Sequence, residues 1–172
     1  MQYCSACGQP VTTSIPDGDN RPRAVCPACA AVHYVNPKLV VGCVPEFAGQ
    51  ILLCRRAAAP YAGYWDLAGG FLEVDETPER GLRRELREEL GARVQRARFR
   101  GFVPDRYGPD GFPVLGIVYE VRVAGRITPG SDVSEVRWVK RDAIPWRRLG
   151  FASIRRALLD YLRGGDQKIT LR

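Results

Sequence analysis

The chain has 172 residues, 45% of them hydrophobic and 26% charged, which is the composition of a globular protein and excludes a disordered or fibrous one. This length suits one domain with a small attachment. Every apolar run is far shorter than the roughly 20 residues of a membrane-spanning helix. The start of the chain lacks the basic and apolar segments of a secretory signal, so we expect a cytoplasmic protein without membrane contact. The net charge of +7 fits either a solvated arginine-rich surface or a field that attracts anions such as phosphates.

Four of the six cysteines form two Cys-x-x-Cys pairs, Cys4 with Cys7 and Cys26 with Cys29. Each pair places two sulfurs on one tight turn, and two such turns give the tetrahedral sulfur site that suits Zn²⁺. The arm between the pairs has too few apolar residues for a core of its own, so the metal would supply the folding energy. The pattern therefore predicts a zinc ribbon whose Zn²⁺ is structural.

The turn signal Asn36-Pro37 is the predicted end of this ribbon. It gives a zinc ribbon over residues 1–36 and a second domain over residues 37–172. His33, the only histidine, lies just before the boundary. It is a candidate ligand or catalytic base, but with four cysteines present we expect it to pack or to form a hydrogen bond.

Two β-branched apolar runs, residues 38–47 and 51–56, predict a hairpin of core strands. Arg55 and Arg56 end the second run and point either at a phosphate or at solvent. We select Arg55 as a candidate substrate contact.

A helix is predicted to begin at Pro78 and to stop at Gly91, because Thr77 is a suitable N-cap and proline at the first helical position loses no bonded N–H. At about 100° per residue, one stripe of this helix is apolar and an adjacent face carries three carboxylates. The stripe contains Leu82, Leu86 and Leu90, and the acidic face contains Glu85, Glu88 and Glu89.

Three carboxylates this close together repel one another by a few tenths of a kcal/mol per pair. Within the predicted helix, which stops at Gly91, no arginine lies four residues C-terminal to any of them to compensate. A divalent cation would remove the repulsion, and hard oxygen ligands select Mg²⁺ or Mn²⁺, which often join carboxylates to substrate phosphates.

The spacing from Gly70 to Ala92 resembles the Nudix box, G-x5-E-x7-R-E-U-x-E-E-x-G-U, in which U is aliphatic. Every charged and glycine position of that motif is matched, by Gly70, Glu76, Arg84, Glu85, Glu88, Glu89 and Gly91. Two positions depart from the family pattern. Ala92 is smaller than the usual aliphatic residue, and Ala68 stands where a proline commonly precedes the two glycines.

The resemblance implies an α/β fold, namely an α/β/α sandwich with a mixed sheet, and hydrolysis of a nucleoside diphosphate linked to another moiety. It implies that a catalytic Mg²⁺ (or Mn²⁺) is bound by Glu85, Glu88 and Glu89 with a backbone carbonyl at Gly69. Geometry of the loop and helix would be held by Gly70, Glu76, Arg84 and Gly91. A later carboxylate often assists in this family, and we favour Asp132 over Glu135.

Beyond the box, residues 93–103 and 114–123 predict strands, and residues 104–113 form either a recognition loop or an ordinary hairpin tip. A short strand at 135–139, an amphipathic helix at 152–162 and a loose tail at 164–172 follow. The selected aromatic substrate contacts, which offer rings to a nucleobase, are Tyr64, Tyr107 and Phe112.

Several features together resemble a zinc-ribbon Nudix subgroup that acts on ADP-ribose and FAD. They are the ribbon, the segment HYVNPK, the box, the tripeptide Ile144-Pro145-Trp146 and Phe151. NADH pyrophosphatases add a Ser-Gln-Pro-Trp-type motif that this chain lacks. We therefore expect a nucleotide small molecule, ADP-ribose or FAD, to be cut to AMP and a phosphorylated product. NADH or NAD-capped RNA is the alternative substrate. The resemblance also allows for a homodimer.

The alternative to an enzyme is a ligand-sensing regulatory module or a nucleic-acid-binding module. The intact metal-binding box argues against a sensor. Nucleic acid is not the expected partner, because residues 1–36 contain only two arginines, Arg21 and Arg23.

Overall fold

A computed structural model describes residues 1–108, 111–130 and 132–164. The chain divides into two compact units, Met1–Asn36 and Pro37–Arg172. Of the predicted tail 164–172, all but Gly164 lies outside the described residues. Within the described ranges, every helix is too short or too polar to cross a bilayer.

The first unit contains three short antiparallel strands in the order β1-β2-β3. They are β1 (Thr12–Ser14), β2 (Arg23–Val25) and β3 (Val32–His33). None of these strands contributes a fully buried side chain, and β1 is exposed along its whole length. The buried residues of this unit are two cysteines, Cys4 and Cys26, so its interior is the predicted metal site and not an apolar core.

The second unit is built on a seven-stranded mixed sheet with the strand order β10-β5-β4-β9-β8. The central neighbours β4 and β9 are parallel, and the other pairs are antiparallel. The strands are β4 (Lys38–Phe47), β5 (Gln50–Arg56), β6 (Trp65–Asp66), β7 (Gly69–Phe71), β8 (Arg93–Tyr107), β9 (Phe112–Ala124) and β10 (Val133–Lys140).

Two helices, α1 (Pro78–Leu90) and α2 (Ala152–Leu162), pack against this sheet in separate hydrophobic clusters. Strand β5 shows why, since alternate side chains of a strand point to opposite faces. Leu52 and Cys54 belong to the cluster of α1, whereas Ile51 and Leu53 belong to the cluster of α2. A continuous apolar run therefore serves two cores, and the predicted α/β/α sandwich is confirmed.

Helix α1 begins and ends as its sequence predicts. The hydroxyl of Thr77 accepts a hydrogen bond from the backbone N–H of Arg80, and Gly91 closes the helix with a φ of 62°. Leu82, Leu86 and Leu90 are fully buried, as the apolar stripe requires. Ala92, the smaller residue at the last position of the box, also lies in this core.

The predicted loop at 104–113 is wrong in extent. Strand β8 extends to Tyr107 and strand β9 begins at Phe112, so the hairpin tip between them is short. Residues 109 and 110 of that tip lie outside the described ranges. Prolines and glycines favour a loop, but β8 is the edge strand of the sheet, where a proline such as Pro104 is tolerated. The segment between β5 and α1 likewise contains the short strands β6 and β7.

The hairpin of β4 and β5 opens soon after its turn, and this opening positions the site. The two strands pair only at Glu46–Ile51 and Phe47–Gln50. Beyond those pairs, β7 binds to β4 and β6 binds to β5. The segment that precedes α1 is thereby inserted into the sheet beside the first residues of the box.

Candidate functional site

A cleft with a cavity volume of about 380 Å³ lies at this opening of the sheet. One part of its lining is acidic, formed by Asp66, Glu73, Glu85, Glu89, Asp105 and Asp132, with Arg56 and Arg106 as the basic lining residues. Another part is apolar and includes Val103, Val118, Ile154 and Ala157. The cleft therefore combines a cation-seeking region with a surface suited to a ring system.

Glu89 is the most deeply buried of the box glutamates, with 7% of its surface exposed. Its Oε2 accepts a hydrogen bond of 2.9 Å from the N–H of Gly69. Burial, reinforced by the charges of Asp132, Glu85 and Asp66, raises its pKa to about 8, although the Gly69 N–H opposes the shift. Without a cation, this environment favours the neutral acid, and a bound cation would favour the carboxylate.

Glu85 packs directly against the backbone of Gly70. A Cβ atom on residue 70 would overlap Oε1 of Glu85 and would lie 2.6 Å from its Cδ, so any other residue there would displace the Glu85 carboxylate. Burial raises the pKa of Glu85, and Arg84 opposes this rise. Glu88 lies one helical turn away from Glu85 in an exposed position.

Arg84 connects the loop before the helix to the glutamates. It bonds both oxygens of Glu76, at 3.0 and 2.9 Å, and the carbonyl of Phe71 at 2.9 Å. Its Nη1 also donates to Glu85 at 2.7 Å and to Glu88 at 3.2 Å. The bidentate contact holds the pKa of Glu76 at about 2, so this pair is ionised at neutral pH. These contacts favour the scaffold role expected for Glu76 and Arg84.

The donor set fits a hard divalent cation. Glu85 and Glu89 line the cleft with Asp132, and hard carboxylate oxygens are the ligands that Mg²⁺ prefers. Asp132 is exposed and lies beside Glu89 in a small pocket that Asp66 and Arg56 also line. The Gly69 N–H is committed to Glu89, and metal binding by the Gly69 carbonyl stays a prediction.

The structure assigns Arg56, not Arg55, to the lining of the cleft. Nη1 of Arg56 lies 2.9 Å from Oδ2 of Asp66, and its Nε donates to the carbonyl of Pro60 at 2.7 Å. Arg55 instead bonds the Gly63 carbonyl and Glu135. Successive side chains of a strand point to opposite faces, so only one of these neighbouring arginines can face the cleft, and the sequence alone does not say which. The pairing of β5 with β6, which brings Asp66 beside Arg56, decides between them.

An aromatic wall borders the cleft at Tyr107 and Phe151. Their rings stack with centroids 5.3 Å apart and an interplanar angle of 16°, and the guanidinium of Arg56 lies 5.1 Å from the Phe151 centroid. Phe112 packs behind Tyr107 at 5.5 Å, and Tyr64 lies under Arg148 at 5.5 Å. Of the three aromatic substrate contacts predicted, Tyr107 lines the cleft, whereas Tyr64 and Phe112 are not among its described lining residues.

Asp66 was not singled out by sequence reasoning, and its buried pair with Arg56 makes a testable stability prediction. Burial raises the pKa of Asp66, and Arg56 opposes that rise. Arg56→Ala leaves a buried carboxylate without its cation, so we expect it to lower the free energy of unfolding by about 3 kcal/mol. Adding Asp66→Asn should recover part of that loss in denaturant unfolding. Equal and additive losses from the two substitutions would contradict this coupling.

The four ribbon cysteines converge, with all their sulfurs within 4.8 Å of one another. The contacts include Cys4–Cys29 at 3.7 Å and Cys7–Cys26 at 3.5 Å. Four thiolates at such spacing match the tetrahedral sulfur set of a structural zinc site. Four sulfur ligands would fill a tetrahedral site, whereas a catalytic zinc site requires an open position.

His33 lies against this cluster as a hydrogen-bonding residue, as expected, and not as part of the converging quartet. Its Nε2 is 3.2 Å from Sγ of Cys4, and its Nδ1 is 3.5 Å from the hydroxyl of Ser5. If the hydroxyl donates to Nδ1, then Nε2 carries the proton and donates to the sulfur. That arrangement would orient a ligand and reduce its negative charge.

Family comparisons agree with this geometry. The NUDIX domain model matches residues 36–162, and the Nudix N-terminal zinc ribbon model matches residues 2–35. The chain therefore belongs to the Nudix family, and it is a Nudix hydrolase with an N-terminal ribbon.

Individual relatives point to related but different substrates. The solved NUDIX hydrolase from Nitrosomonas europaea is 38% identical, with a TM-score of 0.75 over 95% of this chain and 91% of that one. The ADP-ribose pyrophosphatase of Methanocaldococcus jannaschii is 32% identical over 133 residues, or 76% of each chain. The NAD-capped RNA hydrolase NudC of Deinococcus radiodurans is 30% identical over 169 residues, which are 94% of this chain but 56% of that protein.

Proposed function

We propose that the protein is a Mg²⁺-dependent pyrophosphohydrolase of ADP-ribose or FAD. The observation that carries the proposal is one cleft in which the box glutamates Glu85 and Glu89 lie beside an apolar and aromatic surface. An ADP-containing substrate has the same two parts, a diphosphate and a planar base. The acidic region would take the diphosphate together with its metal, and the apolar region would take the ring.

In the proposed reaction, water attacks one phosphorus and the bond from that phosphorus to the bridging oxygen breaks. The bridging oxygen leaves with the other phosphate, so ADP-ribose gives AMP and ribose 5-phosphate, and FAD gives AMP and FMN. A bound Mg²⁺ (or Mn²⁺) supplies neutralisation of the diphosphate charge and Lewis acidity at phosphorus. Glu85, Glu88 and Glu89 would hold the metal, and Asp132, the exposed carboxylate beside Glu89, would accept the proton of the water.

Arg56 is proposed to bind the anionic substrate in place of Arg55. It is the basic residue that lines both the acidic part of the cleft and the small pocket with Glu89 and Asp132. Its guanidinium is fixed by Asp66 and Pro60, so little side-chain entropy remains to be lost on binding. Tyr107 and Phe151 would contact the base or the flavin from the adjoining wall.

The second candidate substrate class is NADH or NAD-capped RNA, which is supported by the similarity to the Deinococcus radiodurans NudC. All four candidates contain an ADP unit, so the acidic part of the cleft does not separate them. The missing Ser-Gln-Pro-Trp-type motif and the similarity to the Methanocaldococcus jannaschii ADP-ribose pyrophosphatase favour ADP-ribose or FAD.

The test is a panel of ADP-ribose, FAD, NADH and NAD-capped RNA with Mg²⁺. AMP and the second product are quantified for the three small molecules, and RNA with a 5′-monophosphate and nicotinamide mononucleotide for the capped RNA. We expect the highest kcat/KM with ADP-ribose or FAD. Glu85→Gln and Glu88→Gln should each lower kcat by about a hundredfold or more, because each removes charge from the metal site. The matched control is Glu46→Gln, since glutamine can still accept the Gly49 N–H bond that Glu46 accepts at the β4–β5 turn.

Three outcomes would contradict the proposal. Turnover of no panel member would reject the hydrolase assignment for these substrates, and binding without turnover would favour a sensor. A mobility shift of RNA at physiological salt without cleavage would favour a nucleic-acid-binding module. Preference for NADH or the capped RNA would replace the first substrate class with the second. The expected homodimer is checked separately by light scattering, and the cytoplasmic location by cell fractionation.

A further inference from the structure

The segment between β9 and β10 lies on the C-terminal end of helix α1. The last carbonyl groups of a helix have no intrahelical donors, so they need partners from elsewhere. The N–H of Thr128 donates to the carbonyl of Leu90 at 3.0 Å, and the N–H of Gly130 donates to the carbonyl of Glu89 at 2.7 Å. The segment thereby supplies donors to the end of the helix that carries the metal-binding glutamates.

Gly130 makes the closest of these approaches. A Cβ atom on residue 130 would overlap the carbonyl oxygen of Glu88, and it would lie 3.0 Å from the carbonyl carbon of Glu88 and 3.1 Å from that of Glu89. All three are backbone atoms in a regular helix, so none can rotate away as a flexible side chain would. Any residue other than glycine must therefore move the segment or the end of the helix.

Asp132 follows Gly130 by two residues, and its backbone is anchored as well. Its carbonyl accepts a hydrogen bond from the N–H of Ala57 at 2.8 Å, and the next residue, Val133, donates to the carbonyl of Gly130 at 3.1 Å. Asp132 and Glu89 line the same small pocket. Two contacts therefore fix the position of Asp132 beside the helix. One is the contact of Gly130 with the helix, and the other is the hydrogen bond from Ala57 at the end of β5.

We propose that Gly130 is a positioning residue that sets the distance between Asp132 and the glutamates of α1. The proposal rests on the proposed function in one respect, namely that Asp132 assists the attack of water. A displacement on the scale of 1 Å at a reacting group lowers rates by up to about a hundredfold. The contact of Gly130 with the helix backbone would fix Asp132 to better than that.

The first test compares Gly130→Ala with Gly49→Ala. Gly49 lies in the β4–β5 turn with a φ of 77° and has open space around its Cβ position, so alanine there strains the backbone without touching the cleft. We expect Gly130→Ala to lower kcat for the best substrate tenfold or more while KM changes less than threefold. Gly49→Ala should lower the melting temperature yet leave kcat within twofold of the wild-type value.

A double variant separates positioning from general damage. If Gly130 acts through Asp132, then Gly130→Ala combined with Asp132→Asn should be no slower than Asp132→Asn alone. Multiplied losses in kcat, or a Gly130→Ala enzyme as fast as Gly49→Ala, would overturn the proposal. If Gly130→Ala does not fold, insertion of one glycine directly after Gly130 keeps the contact and shifts Asp132, and kcat should still fall tenfold. Unchanged kcat in that variant would equally overturn it.

Binding of Mn²⁺, followed by electron paramagnetic resonance, distinguishes failure of this proposal from failure of the proposed function. If the wild-type protein hydrolyses no candidate substrate, the proposed function fails, but Gly130 still packs on the backbone of Glu88 and Glu89. Gly130→Ala should then weaken Mn²⁺ binding threefold or more relative to Gly49→Ala. Equal Mn²⁺ affinities in the two variants would overturn the positioning role.

Discussion

Glu89→Gln is expected to abolish hydrolysis and, at the same time, to stabilise the metal-free protein at alkaline pH. Glutamine keeps an oxygen that can accept the Gly69 N–H bond, so the local structure should persist. It cannot ionise, so it cannot offer a charged ligand to a metal. We expect a fall in kcat of at least about a hundredfold, on the scale of removing one electrostatic contact to a transition state.

The stability effect follows from the pKa of Glu89, which burial raises from 4.5 to about 8. Between these values the folded protein binds a proton that the unfolded chain has released, so its stability falls as pH rises through this window. Each unit of pKa difference corresponds to about 1.4 kcal/mol, so a loss of a few kcal/mol is complete above pH 8. A cation that binds the carboxylate would compete with this proton and offset the loss.

Thermal unfolding at pH 6 and pH 8.5, with EDTA and with Mg²⁺, measures this effect. The wild-type protein should lose several degrees between the two pH values in EDTA and regain them with Mg²⁺. Glu89→Gln should melt higher than wild type in EDTA at pH 8.5 and respond little to Mg²⁺. Glu88→Gln is the matched control on the same helix, because Glu88 is exposed and its removal should change metal-free stability little. A Glu89→Gln protein less stable than wild type in EDTA at pH 8.5 would contradict the linkage.

The helix of the box was predictable because its information is local. Thr77, Pro78 and Gly91 determine where the helix begins and ends, and its period places the leucines and glutamates on separate faces. Its three leucines are buried, and two of its glutamates line the cleft. The Cys-x-x-Cys pairs are predictable for a similar reason, since a tight turn brings two sulfurs together whatever the rest of the chain does.

The opposite wall of the cleft was not predictable in the same way, because it depends on pairing between distant segments. Arg56 faces the cleft because β6 enters the opened hairpin and brings Asp66 beside it. Phe151 meets Tyr107 only when the start of α2 lies over the end of β8, 44 positions earlier in the chain by their residue numbers. The prolines and glycines in 104–113 predicted a longer loop than the structure has. The sequence does not show that β8 lies at the edge of the sheet, because that position depends on how all the strands pair.

Removal of zinc is expected to unfold residues 1–36 and to leave the fold of the second unit intact. The first unit has buried cysteines in place of an apolar core, and its strands are two or three residues long. Structural zinc sites of small modules contribute roughly 10–16 kcal/mol of binding free energy, which here would exceed any other stabilising contribution in that unit. The second unit has two hydrophobic clusters of its own, one under each helix.

Cys26→Ala in the full-length chain tests this dependence most directly, because Cys26 is fully buried and its backbone N–H and carbonyl form hydrogen bonds that close the second knuckle. We expect loss of one bound zinc per chain and fast hydrogen exchange throughout residues 1–36, with protection unchanged in β4, β5 and α1. Cys54→Ala is the matched control, since Cys54 is a buried cysteine in the core of the second unit and should leave the zinc content at one. A Cys26→Ala protein that keeps its zinc, or keeps slow exchange in the ribbon, would show that the metal does not provide the folding energy of this unit.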